Sequence, residues 1–244
     1  MNKGLNGQID FYNHRWIEFA YANANKLTRC PAILDAIRLT KLNVPCILDL
    51  GCGTGWLSAI IGLFGPTIGV GLSDVAIKFA KVRFPHMQYR QANIFEWQVP
   101  KEAFDIVVSQ EVIEHVENQA GYLQVAYEAL HPKGYLILTT PKKKTMLAMP
   151  DEQRENWSGQ PIENWLSIKE LTSLIARGFS ILQVRTVIPG LGHKGSYRFF
   201  NSTRLEKIIE QIGAEQAYDR LRSALGLGLH IVVIARKRVM WTNQ

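Results

Sequence analysis

Cysteine is scarce in this chain. Three are spread over 244 residues, at positions 30, 46 and 52, and none forms a C-x-x-C pair. That count and spacing argue against a disulfide framework and against a zinc knuckle, and they make a reducing cytoplasm the expected setting. Long apolar runs are also missing. The stretch around Ile60 and Ile61 falls far short of the ~20 residues that a membrane-spanning helix needs. The opening residues, MNKGLNGQIDFYNHRW, place no apolar run behind a basic start, so no secretory signal is expected. There is no low-complexity tract, no internal repeat and no linker of the kind that separates independent domains.

What is present suits a folded single domain. Apolar residues make up 47% of the chain and charged residues 20%, enough to build a sizeable core. The net charge of +7 is unevenly placed. Residues 1–140 hold 12 Lys or Arg and 12 Asp or Glu, whereas residues 141–244 hold 16 and 9. The excess reads either as a solvated basic face or as a region that meets an anion, such as a phosphate, a carboxylate or a nucleic acid.

Strand-like runs alternate with helical spacing. Residues 46–50 (CILDL), 67–72 (TIGVGL), 88–92, 104–109 (FDIVVS) and 135–140 (YLILTT) read as strands, with HPKG as a turn before the last. Between them, Leu57, Ile60, Ile61 and Phe64 recur at helical spacing. Ser73 reads as the N-cap of a helix to Phe84, and a further helix spans about 120–130. This rhythm predicts an α/β fold, a mostly parallel sheet with helices on both faces. In such sheets ligands bind at the carboxyl ends of the strands, so the residues just past each strand carry the information.

The rhythm breaks after Thr140. Residues 141–166 show no clear period. Ser167 and Glu170 then form a capping-box pattern for a helix to about Arg177. Strands are expected at 180–187 and 230–236 (HIVVIAR), and the roughly 40 residues between them far exceed the 2–5 of a hairpin loop. That surplus, with PGLGHKGSYRFF and two helical stretches, reads as an insertion covering the active-site end. Residues 1–44 read as helices that pack over the same end.

The first strand leads into DLGCGTG, with Asp49, Gly51, Gly53 and Gly55. Glycines let a ligand approach the backbone, and the following helix N-terminus offers free N–H groups. The spacing is G-x-G-x-G rather than the G-x-G-x-x-G of dinucleotide-binding loops. Asp49 would repel a pyrophosphate and welcome a cationic amine.

These stretches, with GVGLSDVAIKFAKVRFP, FDIVVSQEVIEHV and ALHPKGYLILTTP in that order over residues 44–141, resemble the class I S-adenosylmethionine-dependent methyltransferases. The resemblance implies a Rossmann-like, seven-stranded, mostly parallel sheet with an antiparallel last hairpin, in one domain. Residues 1–44 would be a helical cap, 45–141 the cofactor-binding core, and 142–244 the remaining strands with substrate-covering insertions. It implies S-adenosylmethionine as cofactor. Asp49, Gly51, Cys52, Gly53 and Gly55 would hold its methionine moiety, with Ser109 and Gln110 bordering it. Leu72, Ser73 and Asp74 would follow the second strand, and Asn93 and Ile94 would flank the adenine. One position departs from the pattern: Gly71 stands where such enzymes usually carry an acid for the ribose hydroxyls. Asp74, a water or a carbonyl would have to serve instead.

The stretch SQEVIEHVEN sets Glu111, Glu114 and His115 at i, i+3 and i+4, on one face of a helical turn. Ubiquinone-pathway O-methyltransferases and small-RNA 2′-O-methyltransferases use a similar Glu-x-x-Glu-His set for a divalent metal. The resemblance therefore implies Glu111, Glu114 and His115 as ligands of Mg²⁺ or Mn²⁺; the RNA enzymes add a downstream histidine, where this chain has Glu163 in QPIENW and no histidine, and His193 is the next candidate. A metal-free substrate or base role and a purely structural role stand beside it. His193, between glycines near Lys194, Tyr197 and Arg198, is the other candidate base, and His115 itself is a third. The expected activity is methyl transfer to a small-molecule acceptor, an anionic one included, most readily at oxygen. RNA methylation and a non-catalytic cofactor-fold protein are the competing readings. An added nucleic-acid partner and a membrane span are not expected.

Overall fold

The computed structural model describes residues 3–18, 21, 27–152, 154, 159–189, 199–200 and 202–242. Seven strands form one sheet: β1 (Ile47–Leu50), β2 (Thr67–Gly71), β3 (Gln88–Gln91), β4 (Phe104–Gln110), β5 (Leu130–Pro141), β6 (Phe179–Pro189) and β7 (Gly228–Lys237). Their order is β3-β2-β1-β4-β5-β7-β6. The first five run parallel. β7 is antiparallel to β5 and to β6, as the resemblance implied.

Alternation along the strands loads both faces. Leu48, Leu50, Val107, Leu136, Leu138 and Val233 face α5 (Gln119–Ala129) and α7 (Ile168–Ile175), meeting Tyr122, Leu123, Leu171 and Ile175. Ile47, Ile106, Val108, Ile137 and Ile234 face the other way. They meet Ile33 and Ile37 of α2 (Cys30–Leu39) and Leu57 and Ile61 of α3 (Trp56–Ile61). A strand covered on both sides needs apolar residues at consecutive positions, which is why CILDL and FDIVVS read as near-continuous runs.

Helix starts follow their predicted caps. Ser73 accepts from the Ala76 amide at the head of α4 (Asp74–Arg83). Ser167 and Glu170 form the full reciprocal capping box of α7. The strand order reverses between β1 and β4, opening a cleft at the carboxyl ends of β1, β2 and β4.

Two local readings change. HPKG is not a free turn. It lies within β5, where the register with β4 shifts between Phe104 and Ile106 and Lys133 takes a left-handed φ of 67°. The strand thus begins at Leu130 with an irregular segment. The aperiodic 141–166 segment contains the short helix α6 (Lys143–Ala148) and a bridge from Lys142 to Leu166.

Four cations of the basic C-terminal part have a structural role. Arg185 donates to the Ala32 carbonyl, Arg236 to Lys133, Arg238 to Ala176 and Lys237 to Leu130. These cations tie backbone carbonyls rather than line a cleft. Among the described residues, no helix is long and apolar enough to cross a membrane.

Candidate functional site

The cleft holds a cavity of about 470 Å³. One end is formed by the turn after β1. Gly51, Gly53 and Gly55 all have positive φ, at 95°, 52° and 77°. A Cβ on Gly51 would lie 2.3 Å from Val112, and one on Gly55 2.6 Å from the Tyr89 ring. Only glycine fits this cradle, and it brings the backbone to the cavity wall. Asp49 sits beneath, 1% exposed, accepting from the Ser58 hydroxyl at 2.6 Å. Burial pushes its carboxyl up to about 6, against the Ser58 hydrogen bonds. A cation placed beside it would favour the ionised form.

Nine of the expected cofactor residues reach the cavity wall. Asp49, Gly51, Cys52 and Gly53 come from β1 and its turn, and Leu72 and Ser73 follow β2. Asn93 and Ile94 follow β3, and Gln110 ends β4. Three do not. Gly55 acts behind the wall, by making the turn. Ser109 is buried against Tyr122, its hydroxyl 2.7 Å from the Tyr122 hydroxyl. Asp74 turns outward and takes the Lys78 ammonium at 2.9 Å, so it does not reach back to replace the acid missing at Gly71. Four wall residues carry a buried polar atom without a hydrogen-bond partner among the described residues: three donors, Gln110 Nε2, Thr54 Oγ1 and Arg29 Nε, and the acceptor Glu114 Oε1. Buried donors of this kind are normally satisfied, so a ligand is their natural complement.

The other end is closed by segments that the motifs did not flag. α1 (Lys3–Glu18) lies across the opening. Trp16 packs on Gly53, 3.1 Å from where a Cβ would stand. Asn13 accepts from Ser73, Tyr12 donates to Gln160, and Gln8 donates to the His115 carbonyl. Residues 160–165 cross the same mouth and are stitched to the motif turn by Asn164 N donating to the Glu114 carbonyl at 2.7 Å. Among the described residues, 199–229 contribute nothing to this wall, so the described portion of the β6–β7 insertion is not its cover. His193 lies outside the described residues, as do Lys194, Tyr197 and Arg198.

The EVIEHV stretch differs from its expected form. Ile113–His115 is a single 3-10 turn, and Glu111 precedes it with a left-handed φ of 56°. A non-glycine held there costs energy and is kept only where surroundings fix it. Here they do. Glu111 accepts from Thr139 at 2.9 Å, lies 2.8 Å from His230 Nδ1 and 4.0 Å from Arg29 Nε. Burial alone would raise its carboxyl, but the charges of His230 and Arg29 outweigh this and bring it down to about 2.

His115 is also committed. Its Nδ1 lies 2.9 Å from the Ile162 carbonyl, which requires the Nδ1–H tautomer, and Nε2 accepts from Gln160 at 2.8 Å. Burial lowers its pKa, so the ring is neutral. Among the described residues, no three His, Cys, Asp or Glu side chains are arranged to hold a metal ion. In this structure Glu111 and His115, two members of the expected metal set, turn to Thr139, His230, Ile162 and Gln160 rather than converging with Glu114 on one point. Glu163, in the place of the downstream histidine, accepts from the Gln160 amide.

Arg29 and His230 were missed as site residues. They sit 201 positions apart, their side chains 3.3 Å from one another, and each hides in an ordinary helix or strand pattern. Gln160 and Tyr12 left no signal either.

A family model described as a methyltransferase domain matches residues 19–216. The chain belongs to this methyltransferase family. Its mostly parallel sheet, glycine turn and cleft are the class I methyltransferase form. It is 39% identical over 152 residues to the mitochondrial ubiquinone biosynthesis O-methyltransferase of Rattus norvegicus, a match that covers 53% of this chain and 44% of that one. It is 27% identical over 148 residues to a probable S-adenosylmethionine-dependent methyltransferase of Mycolicibacterium smegmatis, covering 60% and 56%. The chain thus spans about half the length of the curated relatives it matches. The crystal structure of an S-adenosylmethionine-dependent methyltransferase from Mesorhizobium loti has a TM-score of 0.62 at 19% identity, over 86% of this chain and 98% of that one. That likeness shows a shared fold.

Proposed function

We propose that this methyltransferase transfers the methyl group of S-adenosylmethionine to a hydroxyl of a small-molecule acceptor. The observation that carries the reading is that one continuous cavity joins the glycine turn and Asp49 to the turn bearing Glu114. The residues suit that cofactor. A buried carboxyl without a counter-cation among the described residues suits an ammonium group. Gly51 and Gly53 leave room for the methionine moiety, and Gln110 Nε2, on the same cavity wall, is a donor without a partner among the described residues.

The cofactor, when bound, supplies an electrophilic methyl on a sulfonium centre. The chain supplies position and dryness. Asp49 and Gln110 hold one end, and Asn93 and Ile94 border a flat group at the other. Trp16 and Tyr12 on α1 close the opening and exclude water, which strengthens every electrostatic contact inside. In-line approach of the acceptor is the main advantage the site offers. The ubiquinone O-methyltransferase relative supports oxygen as the methylated atom. Residues 1–44, 45–141 and 142–244 are read as cap, cofactor core and remaining strands of one domain.

Calorimetry with S-adenosylhomocysteine tests the cofactor half. One molecule should bind, and Asp49→Asn should weaken binding by tenfold or more, since hydrogen bonds to charged groups contribute roughly 1.5–3 kcal/mol. Isotope-labelled methyl transfer to a panel of hydroxylated and amino compounds tests the rest. Transfer only to amines would overturn oxygen as the target.

A further inference from the structure

We infer that this chain does not select its cofactor by the ribose hydroxyls, so that S-adenosyl compounds of the deoxyribose series are bound as readily as the ribose form, and that Gly71 is the residue that sets this. The inference rests on the cofactor reading of the cavity given above and adds how the middle of that cofactor is met.

The sheet order places the sugar. Asp49 and the glycine turn stand at the end of β1, and Asn93 and Ile94 follow β3. β2 lies between these two strands. A molecule with its amino-acid end at β1 and its flat base at β3 lays its sugar across the end of β2. There Gly71, Leu72 and Ser73 form the cavity wall.

Glycine is not demanded at this position. Gly51, Gly53 and Gly55 have left-handed backbones, but Gly71 does not. A Cβ at Gly71 would meet only ordinary contacts, 3.5 Å from Cys52 Sγ and from Ile77. Neither strain nor crowding therefore keeps a side chain away. What glycine does here is leave the sugar without a side chain to read it.

The neighbours do not make up the loss. Each acceptor of residues 71–73 has a partner in the protein. The Gly71 carbonyl accepts from the Ala92 amide at 2.9 Å, and the Leu72 carbonyl from Gln91 Nε2 at 3.1 Å. The Ser73 carbonyl accepts from the Ile77 amide at 3.1 Å. The Ser73 hydroxyl gives its one proton to Asn13 Oδ1 at 2.6 Å and accepts from the Ala76 amide at 3.1 Å. Asp74 takes the Lys78 ammonium on the outer side, and Asn93 Oδ1 accepts from the Phe95 amide at 3.2 Å. A carboxylate facing the sugar would form charge-assisted hydrogen bonds, about twice as strong as neutral ones. Without it, each sugar hydroxyl trades one set of water contacts for another, and removing a hydroxyl changes the affinity little.

The test is calorimetry on the full chain with three probes: S-adenosylhomocysteine, its 2′-deoxy analogue and its 3′-deoxy analogue. Wild-type affinities for the three should agree within about threefold, since no charged partner is lost. Gly71→Asp should create discrimination, with each deoxy analogue bound about tenfold more weakly than S-adenosylhomocysteine. Gly71→Asn has the same shape without the charge, and should discriminate less. It keeps the position testable if a second acid near Asp49 prevents folding. A loss of about tenfold or more with either analogue in the wild type would overturn the inference, because some group would then be reading that hydroxyl. Equal binding of all three probes by both variants would overturn the assignment to Gly71. Failure of the wild type to bind S-adenosylhomocysteine at all would instead overturn the cofactor reading beneath it.

Discussion

The glycine-loop end of the cavity draws on the strand ends between Asp49 and Ile94, with Gln110 from β4, whereas the acceptor end draws on α1, the turn at 113–115 and residues 141–165. At the first end each wall residue sits at the end of a strand or a few positions past it, and the sheet fixes it. At the second, several polar contacts join positions far apart: Tyr12 with Gln160, His115 with Ile162, Glu111 with His230. The first end is set by backbone conformation. The second is set by side-chain pairing among elements that are adjacent only after folding. Substitutions should therefore act differently at the two ends: through strain at the cradle, and through unpaired charge or lost cover opposite it.

Four changes would break or sharpen that contrast. The largest effect is expected from Gly55→Ala. The new Cβ would lie 2.6 Å from Tyr89 and 2.7 Å from Ala80, at a φ of 77°. Strain and overpacking together should cost about 3 kcal/mol in denaturant unfolding. A change under ~1 kcal/mol would mean that the turn is soft.

Glu111→Gln comes next. It leaves Arg29 buried without its counter-charge and His230 Nδ1 without its carboxylate partner, and roughly 2–3 kcal/mol should be lost near neutral pH, below the ~3–5 kcal/mol of a fully buried pair because Glu111 is partly exposed. The pH dependence gives the sign. The folded carboxyl is held down at about 2, below its unfolded value. Its contribution is present above the unfolded pKa and lost as pH falls toward 2. Wild type and variant should therefore converge in stability in acid. Parallel curves would show that Glu111 is not ionised in the fold.

Trp16→Ala should leave unfolding almost unchanged and weaken S-adenosylhomocysteine by about tenfold, the loss expected when a large aromatic contact is removed from a small site. Unchanged affinity would show that α1 is not among the cofactor's walls. The smallest effect belongs to Gly71→Asp. A Cβ there meets nothing closer than 3.5 Å, from Cys52 Sγ and Ile77. A carboxylate at this point should tighten S-adenosylhomocysteine severalfold by accepting from ribose hydroxyls. Weaker binding would show that the glycine-loop end cannot take a second acid near Asp49.

Much of the first end could be read without coordinates. Alternation gave the strands, Ser73 and Ser167 gave helix starts, and the glycines marked the turn, because each of these is a local demand of the backbone. Asp74 and Ser109 show where local reading stops. Both stand at sensible positions near a strand end, yet Lys78 draws one outward and Tyr122 takes the other into the core. EVIEHV shows the same limit. Its spacing set three polar groups on one face of a helical turn, but a 3-10 turn preceded by a left-handed Glu111 sends them to different partners.

The sequence by itself determined the sheet, its cradle and the family, because strand periodicity, caps and positive-φ glycines are short-range constraints that survive in linear order. Only the tertiary structure decided which polar atoms stay unspent. Arg29 meets His230 across 201 positions and His115 meets Gln160 across 45, while Thr54 Oγ1, Gln110 Nε2 and Glu114 Oε1 keep no hydrogen-bond partner among the described residues. That assignment depends on which side chains reach one another in a shared low-dielectric space, and no spacing along the chain encodes it.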